Sequence, residues 1–287
     1  FAAKKSGVSS VVVLRDAWPA LFKESSSWNE GTGSPSIRER LMKRGPFQLL
    51  VLITEKMIGA VLDRASGVIT TSTDLARTVA QKHGVPTATV RNVCPSPCFP
   101  REPRSTRSNR QLNVLYAGTL GRAQKLENAL VAAKMAGNSG VNVVLKFVGD
   151  GATWDALIDQ AAELDIEFSL EHQRAPEALK SYYDWSDTAL VHLTEWDSLE
   201  TAVPSKTYEL MTNGIHISGV VRGETARLIT ELDAGDIVPP NDPSALARLW
   251  IELARDRTRL EVGDKGKRWV ESQRMETAPV ELLGLLE

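Results

Sequence analysis

Short apolar runs alternate with segments of helical periodicity along most of the chain. From residue 112 onward, each apolar run leads through a turn into a helix-like segment of about ten residues. Strands that helices cover on both faces read as continuous apolar runs, because neither face meets water. The alternation predicts an α/β protein with a parallel sheet covered on both faces. The predicted strands here are 113–117, 141–148, 166–169, 189–193, 215–220 and 236–238, and the predicted helices are 125–136, 152–164, 176–185, 205–212, 224–231 and 243–255.

The part of the chain before residue 112 carries the same pattern more loosely. Ser72 is a suitable N-cap for a helix that Gly84 would end. The Pro-rich stretch 95–111 reads as a linker, so we expect two domains. Strands are predicted at 8–14, 67–71 and 88–92, helices at 47–64 and 74–83, and a loop with a short basic helix within 22–45. The expected divisions are 1–108, 109–270 and a C-terminal helix, 271–287, that packs back towards the first domain.

Composition narrows the class of protein. A chain of 287 residues is long enough for about two domains. Its 42% hydrophobic and 24% charged residues exclude disordered and collagen-like proteins. Two cysteines, Cys94 and Cys98, are too few for a secreted disulfide framework, and they lack partner ligands for zinc. With no long apolar run and no signal sequence, we expect a soluble intracellular protein. Because the chain begins at Phe1, we expect that an N-terminal part is missing.

Charge is distributed unevenly between the two parts. Residues 1–112 hold 17 Lys and Arg against 8 Asp and Glu, whereas residues 113–287 hold 17 against 28. A basic first part is suited to anionic lipid headgroups, phosphates or nucleic acid. The alternative is that the basic and acidic parts complement each other. No nucleic-acid-binding motif is present.

Glycines follow two of the predicted strands. Gly118–Gly121 and Gly149–Gly151 fall where ligands bind in parallel sheets, beyond the carboxyl ends of the strands. Glycine lets a ligand approach the backbone, and a following helix N-terminus attracts an anion. Ordinary strand-to-helix turns would carry the same glycines, so both interpretations stay open.

The segment Val203–Glu209 carries the stronger candidate site. Pro204 suits a helix start, and Lys206 and Glu209 are three apart, so they share one face of the helix. A cation and a carboxylate at a helix start suit a nucleotide diphosphate, with Lys206 on the phosphates and Glu209 on the ribose hydroxyls. The alternative is an ordinary surface ion pair.

The motifs between about 113 and 266 resemble the donor-binding domain of GT-B glycosyltransferases of the large retaining family numbered four. The resemblance rests on Tyr116–Gly121, Val148–Gly151, Ser186–Val191, the block from Val203 to Gly214, and Gly223 to Ile229, with Val238 to Pro243 after them. The Pro-Ser-Lys sequence at 204–206 is most similar to bacterial enzymes that build capsule, O-antigen or exopolysaccharide, including the fucosamine-transferase-like branch. More loosely, 14–19, 65–72 and 91–92 resemble late elements of the acceptor-binding domain.

This resemblance implies two Rossmann-like domains facing a cleft, the first one incomplete. It also implies transfer of a sugar, with retained anomeric configuration, from a nucleotide diphosphate sugar to a glycan or lipid-linked acceptor. A UDP-sugar is favoured over a GDP-sugar, and no metal or other cofactor is required. We expect a cytoplasmic protein, and its basic first part would allow peripheral contact at the inner membrane face. The rival functions are a nucleotide-sugar epimerase or phosphorylase of the same fold, and a non-catalytic nucleotide-sugar-binding subunit.

The sequence departs from the family at two places. The first of the family's two glutamates would fall at Thr201, beside Glu200, and the family's usual arginine is replaced by Thr119. Its usual lysine falls at Gln124, next to Lys125. We therefore predict that Lys206, Arg122 and Lys125 stabilise the departing diphosphate. The predicted donor-binding residues are Gly118, Thr119, Gly149, Asp150, Ser205, Glu209 and Glu224.

The remaining candidates are weaker. His83, His192 and His216 are expected in structural roles with their hydrogen bonds satisfied, and His172 lies in a loop. Asp16 follows a strand and is a minor candidate for the cleft. Trp18 and the basic segment 38–44 suit an interfacial surface for a lipid-linked acceptor, or alternatively a solvated helix.

Overall fold

The computed structural model describes residues 9–17, 46–93, 99 and 108–287. Several sequence-based expectations lie outside these residues: Trp18, the loop and basic segment within 22–45, the two cysteines, and most of the linker. Among the described residues, no helix is long and apolar enough to cross a membrane.

The secondary structure follows the predicted alternation. The strands are β1 Val11–Leu14, β2 Gly67–Thr70, β3 Thr87–Thr89, β4 Gln111–Ala117, β5 Asn142–Val148, β6 Phe168–Glu171, β7 Thr188–His192, β8 His216–Val220 and β9 Gly235–Val238. The α-helices are α1 Pro46–Leu62, α2 Thr73–His83, α3 Glu127–Asn138, α4 Trp154–Leu164, α5 Lys180–Trp185, α6 Ser205–Thr212, α7 Gly223–Glu231, α8 Pro243–Arg255, α9 Lys265–Ser272 and α10 Ala278–Leu286. The class is α/β, as predicted.

The chain divides into two compact units. Unit 1 takes the chain up to Asn92 together with Trp196–Val203 and Ser272–Glu287, and unit 2 takes Val93–Glu195 and Pro204–Glu271. Each unit contains its own parallel sheet, with the strand order β1-β2-β3 in unit 1 and β6-β5-β4-β7-β8-β9 in unit 2.

Unit 1 is built around its three strands and α2. The Ser72 side chain caps α2 by accepting from the N–H of Leu75, and Gly84 ends the helix in the left-handed conformation at φ 62°. Both caps are as predicted. Near the end of the chain, α10 lies against β3, where the Glu281 carboxylate accepts from the N–H of Thr89 at 3.2 Å.

Unit 2 has the larger core. Its central strands β7 and β8 are buried along their whole length, and Trp250 of α8 is fully buried among the aliphatic side chains of β4, β5 and α3. Below these strands, the buried Asp187 carboxylate pairs with Arg257 and accepts from the N–H of Asn113 at 2.9 Å. These contacts hold the start of β7, at the end of the strand opposite His192.

Two glycine turns interlock at the carboxyl ends of β4 and β5. A Cβ on Gly149 would lie 1.8 Å from the Gly118 carbonyl oxygen, and one on Gly151 would lie 2.1 Å from that of Leu120. The Leu120 N–H donates to the Asp150 carbonyl at 2.9 Å. Gly149 and Gly151 therefore serve backbone-to-backbone packing between the loops.

Two predicted helices begin differently in the structure. The helix predicted from Lys125 starts at Glu127, after the 3₁₀ turn Arg122–Gln124, because Lys125 takes the left-handed conformation at φ 38°. The helix predicted over 176–185 opens as the 3₁₀ turn Pro176–Leu179 and continues as α5.

Candidate active site

The candidate site lies where the strand order of unit 2 reverses. Chain connections run from β4 outward to β5 and β6 on one side and to β7, β8 and β9 on the other. Ligands of open parallel sheets bind at such a switch point, beyond the carboxyl ends of the strands. Gly118 follows β4 here, His192 ends β7, and α6 begins at Ser205.

Lys206 reaches from the first turn of α6 to the end of β4. Its Nζ lies 3.6 Å from the centroid of the Tyr116 ring, which is fully buried. A Cβ on Gly118 would lie 2.5 Å from the same nitrogen. The amine therefore occupies the space that a side chain at position 118 would fill, and Gly118 at φ 149° adopts a conformation that favours glycine.

The amine of Lys206 is poorly solvated. Burial lowers its pKa to about 7, and Glu209 opposes that change. Desolvation disfavours the charged form of an amine, whereas a nearby anion restores it. An anion that enters beside Lys206 is therefore met by a group that gains a proton near neutral pH.

His192 is buried beside this lysine. Neither of its ring nitrogens has a hydrogen-bond partner among the described residues, and burial together with the charges of Lys125 and Lys206 lowers its pKa to about 3. The expectation of satisfied hydrogen bonds is wrong for this histidine. It is confirmed for His83, which contacts Asp63 at 2.6 Å, and for His216, which contacts Thr188 at 2.9 Å and Asp236 at 3.2 Å.

Glu209 lies one turn further along α6. The Tyr183 hydroxyl of α5 lies near its carboxylate: burial, and then the Glu209 charge, raise the pKa of that tyrosine. The Glu209 carbonyl accepts from the Asn213 side chain at 2.9 Å. Sequence reasoning missed Tyr183, because nothing local marks a contact between α5 and α6.

Lys125 and Arg122 lie on the other side of the β4 loop. Lys125 donates to the Asn241 side-chain oxygen at 2.9 Å, and the Asn241 amide donates to Glu195 at 3.2 Å. Glu195 also pairs with Arg222. Arg122 is exposed. Of the three predicted phosphate-stabilising residues, the structure brings Lys206 to the backbone of Gly118 and engages Lys125 with the loop before α8.

Asp150 is occupied at the other edge of the sheet. Its carboxylate contacts the His172 ring at 2.6 Å and accepts from the N–H of Gln173 at 3.0 Å. These hydrogen bonds lower the pKa of Asp150. His172 in turn stacks on Trp154 at 4.3 Å between ring centroids. Asp150 and His172, for which the sequence predicted no role, thus form one exposed pair that connects the β5 loop to the β6 loop.

The other predicted donor-binding residues are spread around this loop. Thr119 is exposed, and its carbonyl accepts from the Tyr116 hydroxyl at 2.7 Å. Ser205 is exposed in the first turn of α6, whereas Glu224 is buried in the first turn of α7. Within the described parts of the chain, no group of three or more His, Cys, Asp and Glu side chains could hold a metal ion.

Comparison with known proteins identifies the family. Residues 100–273 match the family described as "Glycosyl transferases group 1". This chain belongs to that family. A curated relative, the probable glycosyltransferase WbjE of Pseudomonas aeruginosa, is 36% identical over 141 residues, which are 48% of this chain and 34% of the relative. The chain thus matches about a third of that relative's length.

Solved structures of similar fold cover more of the glycosyl transferase chain. Anabaena HepE in complex with UDP-glucose has a TM-score of 0.66 at 14% identity, covering 98% of this chain and 72% of its own. Sucrose-phosphate synthase from Thermosynechococcus elongatus has a TM-score of 0.65 at 18% identity, covering 99% and 74%. Staphylococcus aureus TarM has a TM-score of 0.60 at 12% identity, covering 82% and 46%. The fold is GT-B, as predicted.

The segment Trp196–Val203, which contains Thr201, belongs to unit 1 of this glycosyl transferase. There the Ser72 hydroxyl donates to the Thr201 carbonyl. Glu200, the neighbouring carboxylate, is exposed. Asp16, after β1, is exposed as well.

Proposed function

We propose that this glycosyl transferase moves a sugar from a nucleotide diphosphate sugar to an acceptor, and that unit 2 binds the donor. The observation that carries the proposal is the position of Lys206. Its amine lies against Gly118 at the switch point, in the first turn of α6. A helix N-terminus and a lysine together suit a diphosphate.

The chemical role of this arrangement is to stabilise the leaving group. When the bond between the sugar and the diphosphate breaks, negative charge develops on the phosphate oxygens. Fixed donors around that charge lower the barrier, because they need no reorganisation during the reaction. Lys206 and the N–H groups at the start of α6 are the proposed donors, and Arg122 and Lys125 are secondary candidates.

Glu209 is proposed to bind the ribose of the nucleotide. A carboxylate accepts hydrogen bonds from both ribose hydroxyls, and this one lies near the Tyr183 hydroxyl of α5. The donor is proposed to be a UDP-sugar. Support comes from the similar structures of HepE and of the pneumococcal O-GlcNAc transferase GtfA, which are in complex with UDP or UDP-glucose.

The finer assignments are part of the same proposal. They are membership of the retaining family numbered four and its fucosamine-transferase-like branch, retention of anomeric configuration, a glycan or lipid-linked acceptor in cell-surface polysaccharide synthesis, and a cytoplasmic location. Residues 1–108 are proposed to serve the acceptor and residues 109–270 the donor. The resemblance of the Pro204–Lys206 block to bacterial polysaccharide enzymes supports them.

A second candidate is a nucleotide-sugar-binding subunit without transferase activity. Thr201 favours it, because threonine cannot provide the carboxylate that the family commonly has at this position. Product analysis with UDP-sugars and an acceptor extract separates the two, since a binding subunit retains nucleotide affinity and forms no product.

Calorimetric titration of the 287-residue chain with UDP, GDP, UDP-N-acetylglucosamine and GDP-mannose tests the donor assignment. We expect saturable binding of the uridine compounds, which Lys206→Met and Glu209→Gln weaken. Binding of neither nucleotide class would contradict the proposal, and binding of GDP alone would replace UDP by GDP in it.

A further inference from the structure

We propose that Tyr116 is a positioning residue whose ring holds the Lys206 ammonium over Gly118, so that the amine is placed for the diphosphate of the donor. This inference rests on the proposed function. The family match covers residue 116 but assigns it no role. Tyr116 is the residue on β4 nearest the glycine loop whose side chain meets Lys206.

The geometry gives the ring two attachments. Lys206 Nζ lies 3.6 Å from the ring centroid, well inside the roughly 6 Å limit of a cation–π contact. The hydroxyl of the same tyrosine donates to the Thr119 carbonyl at 2.7 Å. One side chain therefore holds both the amine and the loop that follows β4.

The ring itself is held rigidly. Tyr116 is fully buried and packs edge-on against Phe147 at 5.5 Å between centroids, and Phe147 packs edge-on against Phe168 at 5.1 Å. A ring fixed in this way presents its face to Lys206 without loss of side-chain freedom on binding. The empty Cβ position of Gly118 completes the space for the amine.

The contact strengthens when the amine is charged. The ring quadrupole attracts an ammonium and does not attract a neutral amine. Burial lowers the pKa of Lys206, and the Glu209 carboxylate on its own helix opposes that change. The buried His192 of β7 is the other titratable group beside the amine, and its own pKa is lowered by burial and by the charges of Lys125 and Lys206. A diphosphate that approaches the amine favours its protonated form, so binding takes up a proton.

The sign of the pH dependence follows. The pKa of the free amine is about 7, and a bound dianion raises it. Affinity is therefore highest below pH 7 and falls as the pH rises above 7, by at most about tenfold per pH unit. The UDP β-phosphate also titrates, near pH 6, and this changes the affinity as well. The Lys206→Met variant separates the two effects, because it keeps the pH dependence due to the phosphate and loses that due to the amine.

The test compares three variants at core positions. Tyr116→Phe keeps the ring and removes the hydroxyl, Tyr116→Leu removes the ring, and Phe147→Leu causes a similar loss of core packing at the neighbouring ring. UDP affinity is measured by calorimetry from pH 6 to pH 9. The titration of the Lys206 amine without ligand is followed by NMR of carbon-13-labelled lysine, with Lys206→Met to assign the signal.

We expect Tyr116→Leu to weaken UDP binding about threefold to thirtyfold at pH 6.5, the range for a cation–π contact. The midpoint of the Lys206 titration should move to lower pH in this variant. Tyr116→Phe should keep the midpoint and lie within about threefold of the parent affinity, and Phe147→Leu should lower the melting temperature without moving the midpoint, because leucine still packs against the Tyr116 ring and leaves its face to Lys206.

Two results would overturn the inference alone: Tyr116→Leu and Phe147→Leu with equal affinities for UDP, or an unmoved Lys206 midpoint in Tyr116→Leu. Absence of UDP binding by the parent chain would instead count against the proposed donor site, and with it against the role of Tyr116 there. If Tyr116→Leu fails to fold, Gly118→Ala becomes the test, because its Cβ takes the space of the Lys206 amine on the ring. Gly140→Ala is its control. Gly140 also has a positive φ, and no atom of the described residues lies within 4 Å of a Cβ built on it. Equal UDP binding by these two glycine variants would overturn the inference as well.

Discussion

Two regions at the carboxyl end of the unit 2 sheet treat their polar groups in opposite ways. At the outer edge, Asp150 and His172 are exposed and contact each other at 2.6 Å. At the switch point, Lys206 lies on an aromatic ring, and the buried His192 beside it has no hydrogen-bond partner in the part of the chain that the structure describes. The first region fulfils its hydrogen bonds within the protein. The second contains an amine, Lys206, that a bound anion would neutralise, and a histidine, His192, that a ligand could hydrogen-bond. This difference favours the switch point as the donor site.

Removal of the Lys206 amine should have the largest effect on binding. We expect Lys206→Met to weaken UDP binding about tenfold to a hundredfold, the cost of a lost hydrogen bond to a charged group. Calorimetry at pH 6.5 measures it. Lys125→Met is the matched control, because that amine is already held by Asn241. Equal losses in the two variants would contradict a special role of Lys206.

A substitution in the interlocked glycine turns should have the next largest effect, and it should act on stability. Gly149→Ala places a Cβ 1.8 Å from the Gly118 oxygen, so we expect it to lower the free energy of unfolding by about 1–3 kcal/mol or more. Urea denaturation measures the change. Gly137→Ala is the control, since this helical glycine has open space around its Cβ position and should gain about 0.5–1 kcal/mol. A parent-like Gly149→Ala would contradict the packing account.

Glu209→Gln should weaken UDP binding about tenfold, because the neutral amide accepts more weakly from the ribose. The sharper readout is discrimination. The parent chain should bind UDP more tightly than 2′,3′-dideoxy-UDP, and Glu209→Gln should bind the two almost equally. If Glu209→Gln still bound UDP more tightly than 2′,3′-dideoxy-UDP, Glu209 would not be the residue that binds the ribose hydroxyls. Tyr183→Phe should have a smaller effect in the same direction.

Asp150→Asn should have the smallest effect. Its exposed pair with His172 contributes little, as exposed ion pairs generally do. We expect UDP affinity within about twofold of the parent, measured in the same titrations. A tenfold loss of UDP affinity would show that the outer edge of the sheet belongs to the donor site, and would contradict the assignment of the donor to the switch point alone.

Local signals allowed much of the fold to be predicted. The bounds of α6 and α8 agree with the predicted ranges, because Pro204 and Pro243 mark helix starts that any tertiary context keeps. The caps of α2 at Ser72 and Gly84 are local as well. The shift of α3 to Glu127 was beyond prediction, since lysine rarely takes the left-handed conformation in which Lys125 ends the preceding 3₁₀ turn.

Residues of the candidate site could be proposed from the sequence, but their contacts could not. Lys206 and Glu209 stood out because they follow a helix-starting proline. Tyr116 and Tyr183 did not, because their partners are in other elements of the fold and no spacing rule connects them. His192 was misjudged for the same reason: a histidine at the end of a strand is unremarkable until its surroundings are known.

The most direct test is a crystal structure of the chain with UDP. The account predicts a β-phosphate oxygen about 2.7–3.2 Å from Lys206 Nζ, above Gly118, with the ribose at Glu209 and the Tyr116 ring still beneath the amine. A diphosphate bound at Arg122 and Lys125, or beside Asp150, with Lys206 out of reach would contradict it.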